Sequence, residues 1–216
     1  MAKTSAVGRP RIRSDEEILH AALEAFAASG YEGMSVRTLS ADLGLSHETV
    51  NRRFGSKKDL YFAALDYGFT SLFDAIASER ARGPVEPDDL GELREAIRTF
   101  MVAATTHPAL GRVLQQEGMV PSERLDYIVE RAFAPGMLVM IEVTQRLTTA
   151  GVIRPTSARE LFFLAQAGAA PFAAQELSRA FDVIDGPLDP TTYIDRVADV
   201  IVQGLLRLPP KRSNRT

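Results

Sequence analysis

Apolar residues recur every three or four positions through most of this chain, and nowhere do they alternate with polar ones over a strand's length. The spacing predicts a first helix opening at Ser14, where S-D-E-E supplies a capping box with Glu17 and puts acids in the first turn. Ile18, Leu19, Ala22, Leu23 and Phe26 form its inner face, and Gly30 stops it. Ser35 caps a second helix that buries Val36, Leu39 and Leu43, with Ser40 small enough to let another helix cross closely. Gly44 punctuates its end, Ser46 caps a third helix directly afterwards, and Val50 and Phe54 point that helix inward.

Beyond Gly55 and Ser56, Lys57 opens a longer helix through Leu60, Ala64, Leu65, Phe69, Leu72, Phe73 and Ile76. The stretch RGPVEPDDLG, Arg82 to Gly91, reads as a break. Further helices are expected at about Glu92 to Thr106, Pro108 to Glu117, Ser122 to Ala150 with a kink at Pro135, Ser157 to Phe181, and Asp189 to Leu208. Pro108 and Pro190 suit the first helical position, where a missing N–H costs nothing. The fold class is therefore all-α. A small N-terminal three-helix domain is expected over 14–60, with its paired short helices at about 35–54, and a larger helical domain over 61–208. Residues 1–13 and 209–216 read as flexible basic tails.

Composition narrows the function classes. Of 216 residues 45% are apolar, which excludes disordered and fibrous classes. Cysteine is absent, so neither a disulfide framework nor a thiolate site is available, and a reducing compartment fits. The polar start MAKTSAVGRPRIRSDEE has no secretory h-region, and the most apolar run, Leu161 to Ala174, is too short and interrupted for a membrane span. The expectation is a cytoplasmic protein without a membrane partner. Net charge is -3, yet positive charge is focused at Lys3, Arg9, Arg11 and Arg13 and again at Arg52, Arg53, Lys57 and Lys58. Backbone binding of nucleic acid needs such local rather than total charge.

Two short helices across a glycine turn, followed by a basic cluster, form a helix-turn-helix pattern that presents its second helix to the major groove of double-stranded DNA. The start of that helix faces base edges, which makes His47, Glu48, Thr49 and Arg52 the candidate base readers, with Ser46 and Asn51 beside them. Arg52 suits guanine, and Glu48 either accepts from a cytosine amine or only complements the helix N-terminus. Lys57 is the candidate phosphate clamp. Ser35 and Arg37 stand on the second helix as further phosphate contacts, while Arg53 and Lys58 read as solvated. Arg9, Arg11 and Arg13 form either a minor-groove arm or a plain basic tail.

The stretch GYEGMSVRTLSADLGLSHETVNRRFGSKKDL, Gly30 to Leu60, resembles the tetracycline-repressor (TetR) family of bacterial transcription regulators. The likeness lies in the glycine-aromatic opening, the hydroxyl cap at Ser35, the glycine turn with Ser46, and F-G-S-K with Leu60. Asn51 stands where that family commonly has an aromatic residue, and Glu48 puts an acid near the expected DNA surface. The resemblance implies a C-terminal effector-binding and dimerisation domain, and a repressor released from its operator by a small, largely apolar molecule. Between the break and the last helices, Phe100, Met101, Leu110, Leu114, Phe133, Met137, Met140, Ile141 and Phe163 could line such a pocket, with His107, Glu117 and Gln166 orienting the ligand.

A homodimer on a palindromic operator is expected through the last two long helices. The small residues Ala167, Gly168, Ala169 and Ala170 allow close approach, and Tyr193, Ile194, Val197, Ile201, Leu205 and Leu208 repeat at helical spacing. His20, His47 and His107 are scattered outside any metal-ligand spacing, and no nucleotide or hydrolase fingerprint occurs. No catalysis, cofactor or metal is therefore expected. The competing class is a helical bundle that binds or converts a small apolar molecule without any DNA role.

Overall fold

The computed structural model describes residues 13–83, 88–133 and 137–207, apart from the side chains of Phe133 and Val139. Among them the fold is all-helical, with one isolated antiparallel bridge between Ile153 and Leu206. No described helix is long and apolar enough to cross a membrane. Two compact units meet in the sequence between Tyr67 and Gly68. The expectations on Arg9, Arg11, Pro135, Leu208 and the chain ends lie outside the described residues.

The first unit contains α1 (Asp15–Gly33), α2 (Val36–Asp42), α3 (His47–Phe54) and the start of α4 (Lys57–Arg82). Ser14 and Glu17 close the predicted capping box reciprocally, at 3.1 and 2.9 Å. Gly30, at φ +70, breaks the helical path, although one further turn continues to Gly33. Ile18, Ala22, Leu23 and Phe26 of α1 and Leu39, Val50, Leu60 and Tyr61 of the other helices are buried in this unit. Phe26 meets Tyr61 edge-on at 4.8 Å and stacks on Tyr31 at 6.0 Å between ring centroids, an arrangement that aromatic quadrupoles favour.

The second unit continues α4 and adds α5 (Asp89–Thr106), α6 (Pro108–Glu117), α7 (Glu123–Ile128), a π-helical turn at Val129–Phe133, and α8 (Leu138–Thr149). It then runs through α9 (Ala158–Ala173), two short helices α10 (Gln175–Arg179) and α11 (Asp182–Asp185), and α12 (Pro190–Leu205). α5 lies at its centre: Leu93, Ile97 and Met101 are buried against Met140, Val143, Leu161, Ile194 and Ile201 from α8, α9 and α12. α5 starts three residues earlier than the expected Glu92, because Asp88 caps it, accepting from the Gly91 N–H at 2.8 Å.

The helix expected over Ser157 to Phe181 is interrupted. Pro171 sits in its last turn, where it can supply no N–H, and Ala174 leaves the helical region at ψ 57. The small-residue run also has a different use. A Cβ on Gly168 would meet Val197 Cγ1 at 2.7 Å and Met101 Cε at 3.1 Å, so Gly168 serves approach within the unit, and Ala169 is buried with it. Likewise Ile194, Ile201 and Leu205 on α12 are spent on the unit's own core. The apolar surface left over on these helices is Phe163 and Leu164 of α9 and Val200 of α12.

Candidate nucleic-acid interface

Gly44 takes φ +70, a backbone conformation open to glycine, with no neighbour within 4 Å of where a Cβ would lie. The Leu45 N–H then donates to Ser40 O at 2.8 Å and the Gly44 N–H to Ala41 O at 3.0 Å, which closes α2 as a Schellman motif. Ser46 Oγ accepts from the Thr49 N–H at 3.1 Å and lies 2.8 Å from Thr49 Oγ1, so both hydroxyls are engaged in the cap of α3. Val50 anchors α3 in the core. Glu48, Asn51 and Arg52 are exposed, while His47 and Thr49 are half-buried. Asn51 Nδ2 lies 3.4 Å from His47 Nδ1, one turn back.

Arg53 is not simply solvated. Its Nε donates to Asp15 Oδ1 at 2.7 Å, Nη2 donates to the same oxygen, and Nη1 donates to Arg13 O at 2.8 Å. Arg53 thereby ties the end of α3 to the start of α1. Arg13 is likewise docked rather than part of a free arm: Nε donates to Leu43 O at 3.4 Å and Nη1 pairs with Glu17 at 3.3 Å. Sequence reasoning missed the ties of Arg13 to Leu43 and of Arg53 to Asp15 and Arg13, because those partners lie 30 to 40 residues away.

The F-G-S-K segment builds the corner between α3 and α4. Ser56 N–H and Oγ–H donate to Asp59 Oδ2 at 2.8 and 2.7 Å, and the Asp59 N–H donates back to Ser56 Oγ at 3.2 Å. The Ser56 hydroxyl first, then its backbone N–H, hold the Asp59 carboxyl below the usual carboxylate range. This cap is complete above that range and is lost as pH falls through the lowered value. Gly55 has φ +81, and a Cβ there would meet Asp59 Oδ2 at 2.6 Å. Gly55→Ala is therefore expected to cost about 1–3 kcal/mol in backbone strain alone, read as a lower unfolding midpoint in urea.

Lys57 Nζ donates to Glu32 O at 3.1 Å and sits 5.0 Å from the Tyr31 ring centroid. An ammonium has three donors, so one partner does not exhaust it. Ser35 Oγ accepts from the Thr38 N–H at 3.3 Å as the cap of α2, and Arg37 is exposed beside it.

Two of the clefts in the second unit share lining residues. One, of about 240 Å³, is lined by Leu72, Ile76, Phe100, Leu114, Met137 and Met140 among others, with Arg80 and Thr99 as its polar members. The other, of about 300 Å³, shares Leu72, Phe100 and Leu114 with it and adds His107, Leu110, Arg112, Gln115 and Gln166. Four expected pocket residues lie elsewhere. Met101 is buried in the solid core, and Ile141 faces a separate cleft with Thr144 and Thr148. Phe163 is 62% exposed, while its neighbour Phe162 lines the first cavity. Glu117 is buried and takes the Arg124 Nε–H at 2.9 Å on each oxygen, an internal ion pair in place of a ligand contact. The Phe133 side chain is outside the described set.

The family model for bacterial regulatory proteins of the tetR family matches residues 18–64. YezE of Bacillus subtilis, an uncharacterised HTH-type transcriptional regulator, is 32% identical over 92 residues, 43% of this chain and 44% of that protein. The HTH-type transcriptional repressor AcnR of Corynebacterium efficiens is 40% identical over 58 residues, 27% of this chain and 31% of that protein. The chain thus spans less than half the length of both relatives. Among solved structures, AibR in complex with isovaleryl coenzyme A and operator DNA is similar in fold, with a TM-score of 0.59 at 21% identity over 88% of this chain and 96% of that one.

Proposed function

The chain belongs to the tetR family of bacterial regulatory proteins, and from that premise we propose that it is a sequence-specific DNA-binding repressor, released from its operator by a small, largely apolar effector. One observation carries the DNA reading. Glu48, Asn51 and Arg52 stand exposed on a helix that is capped at Ser46, anchored at Val50 and tied down by Arg53. Side chains held this way can read base edges, because helix and register are fixed before DNA arrives. Arg37 and Lys57 supply backbone contacts.

A twofold homodimer through the exposed apolar face of α9 and α12 pairs two such helices with a palindromic site. The effector reading draws on the apolar cavities and on AibR, which is crystallised with an acyl coenzyme A and operator DNA. α4 begins at Lys57, and its later residues Leu72, Ile76 and Arg80 line the first cavity, so a ligand there acts on the helix that leads to the DNA-binding unit. Such a ligand must bind the released arrangement more tightly than the DNA-bound one.

The test starts from an operator chosen by selection on a random duplex library. Arg52→Ala is expected to relax preference at one position by about 1–3 kcal/mol, while Lys57→Ala weakens all sequences and flattens the salt slope by about one. Unchanged affinity in both variants removes this surface from consideration. A library that yields no bound sequence overturns the DNA role itself.

A further inference from the structure

We infer that these two cavities, which share Leu72, Phe100 and Leu114, form one elongated site for an anionic amphiphile, a straight-chain carboxylate whose chain fills the first cavity and whose head lies against His107, Arg112 and Gln166. The inference rests on the effector reading of the same site and names the chemistry of its occupant.

Size is the first argument. At about 240 Å³ the apolar cavity falls short of the ~300–1,000 Å³ typical of ligand sites, and the second only reaches its lower edge. Between them stand Leu72, Phe100 and Leu114, which line both. All three are half-buried apolar side chains that turn by rotamer changes, without breaking a side-chain hydrogen bond. Shape is the second. From Leu72 to Arg80 α4 rises about 12 Å, and from Ala96 to Ala104 α5 rises about 12 Å, so the joined lining is elongated along these helices.

Charge is the third. The sequence holds 28 acidic and 25 basic residues, yet neither lining contains a carboxylate. Arg80 lines only the first cavity, and His107 and Arg112 line only the second. Arg80 lies 3.9 Å from Glu92, whose other oxygen takes Arg146 at 2.7 Å, and it brings one cation to its cavity. His107, Arg112, Gln115 and Gln166 surround the second cavity, with Ser71 Oγ 3.4 Å from His107 Nε2. Gly111 lines the same cavity, where a Cβ would come only to ordinary contact with Gln166 Nε2 and Ala173 Cβ, at 3.9 Å each. A carboxylate, which only accepts hydrogen bonds, fits donors of this kind.

The test is calorimetric titration of the full chain with hexanoate, octanoate, decanoate, 1-decanol and decanoyl coenzyme A. Each methylene should tighten carboxylate binding about fourfold, and decanoate should bind about tenfold more tightly than 1-decanol. The double variant His107→Gln, Arg112→Gln should bring that ratio close to one. Leu72→Trp should end the gain in affinity beyond hexanoate, with Leu114→Phe as the second probe should the first variant fail to fold. Equal binding of alcohol and acid, or no dependence on chain length, overturns the proposal. So does a ratio lost in Arg80→Gln but kept in the double variant, which places the head at the wrong end. Tighter binding of decanoyl coenzyme A than of decanoate overturns the enclosed head group. Operator affinity is measured in the same titrations. Decanoate that binds as expected without changing it supports the site and refutes only the switch, whereas operator binding intact with no carboxylate bound refutes the site and leaves the DNA role standing.

Discussion

Replacing Phe163 and Val200 together by glutamate is expected to turn the protein into a monomer and to lower its operator affinity by about 10²–10⁴-fold, the avidity that a second half-site supplies. Phe163 is 62% and Val200 69% exposed, so neither change disturbs the core beneath, where Leu161, Ala165, Ile201 and Val202 remain packed. What the glutamates remove is apolar area available to a second copy, and across a twofold axis they bring like charges together. Sedimentation velocity at micromolar concentration reads the first effect, and titration with whole and half operators reads the second. A dimer that persists assigns the interface elsewhere. A monomer that keeps full affinity removes the palindrome.

Phe26→Ala is expected to destabilise the first unit by about 3–5 kcal/mol, the usual cost of emptying a fully buried aromatic site. Phe26 is wholly buried between Tyr61 and Tyr31, so its loss removes two ring contacts and leaves a space that neighbouring helices cannot easily close. Tyr31 in turn carries the Lys57 ammonium, which makes the corner at Gly55 and Ser56 loosen with it. Thermal unfolding should show a transition for this unit at lower temperature, with the second unit's transition in place. A single unshifted transition means that Phe26 is less important to this core than its burial indicates.

Much of the first unit was legible because its signals are local. The caps at Ser14, Ser35 and Ser46 and the turns at Gly44 and Gly55 are each decided within about five residues, by one side chain and the amides it can reach. Arg53 with Asp15 could not be read this way, since nothing in either neighbourhood says that residues 38 apart will meet. In the second unit periodicity located the helices but not their partners. The stripe on α12 and the glycine of α9 look the same whether they face their own core or a second copy, and only Val197 and Met101 against Gly168 decide it. For Phe162 and Phe163 the ambiguity is one of phase: adjacent residues on a helix point about 100° apart, and the one facing inward depends on how the helix rolls.

The tethering of α3 has a consequence for how this protein can change over generations. Its fold depends on Ser46, Val50 and Arg53, whereas Glu48, Asn51 and Arg52 hang from it and hold up nothing in the core. Substitutions at such exposed positions usually shift stability by less than about 0.5 kcal/mol. If these side chains read the operator as proposed, a lineage can shift the sequence they recognise by altering three nearby codons while the fold that carries them is inherited unaltered.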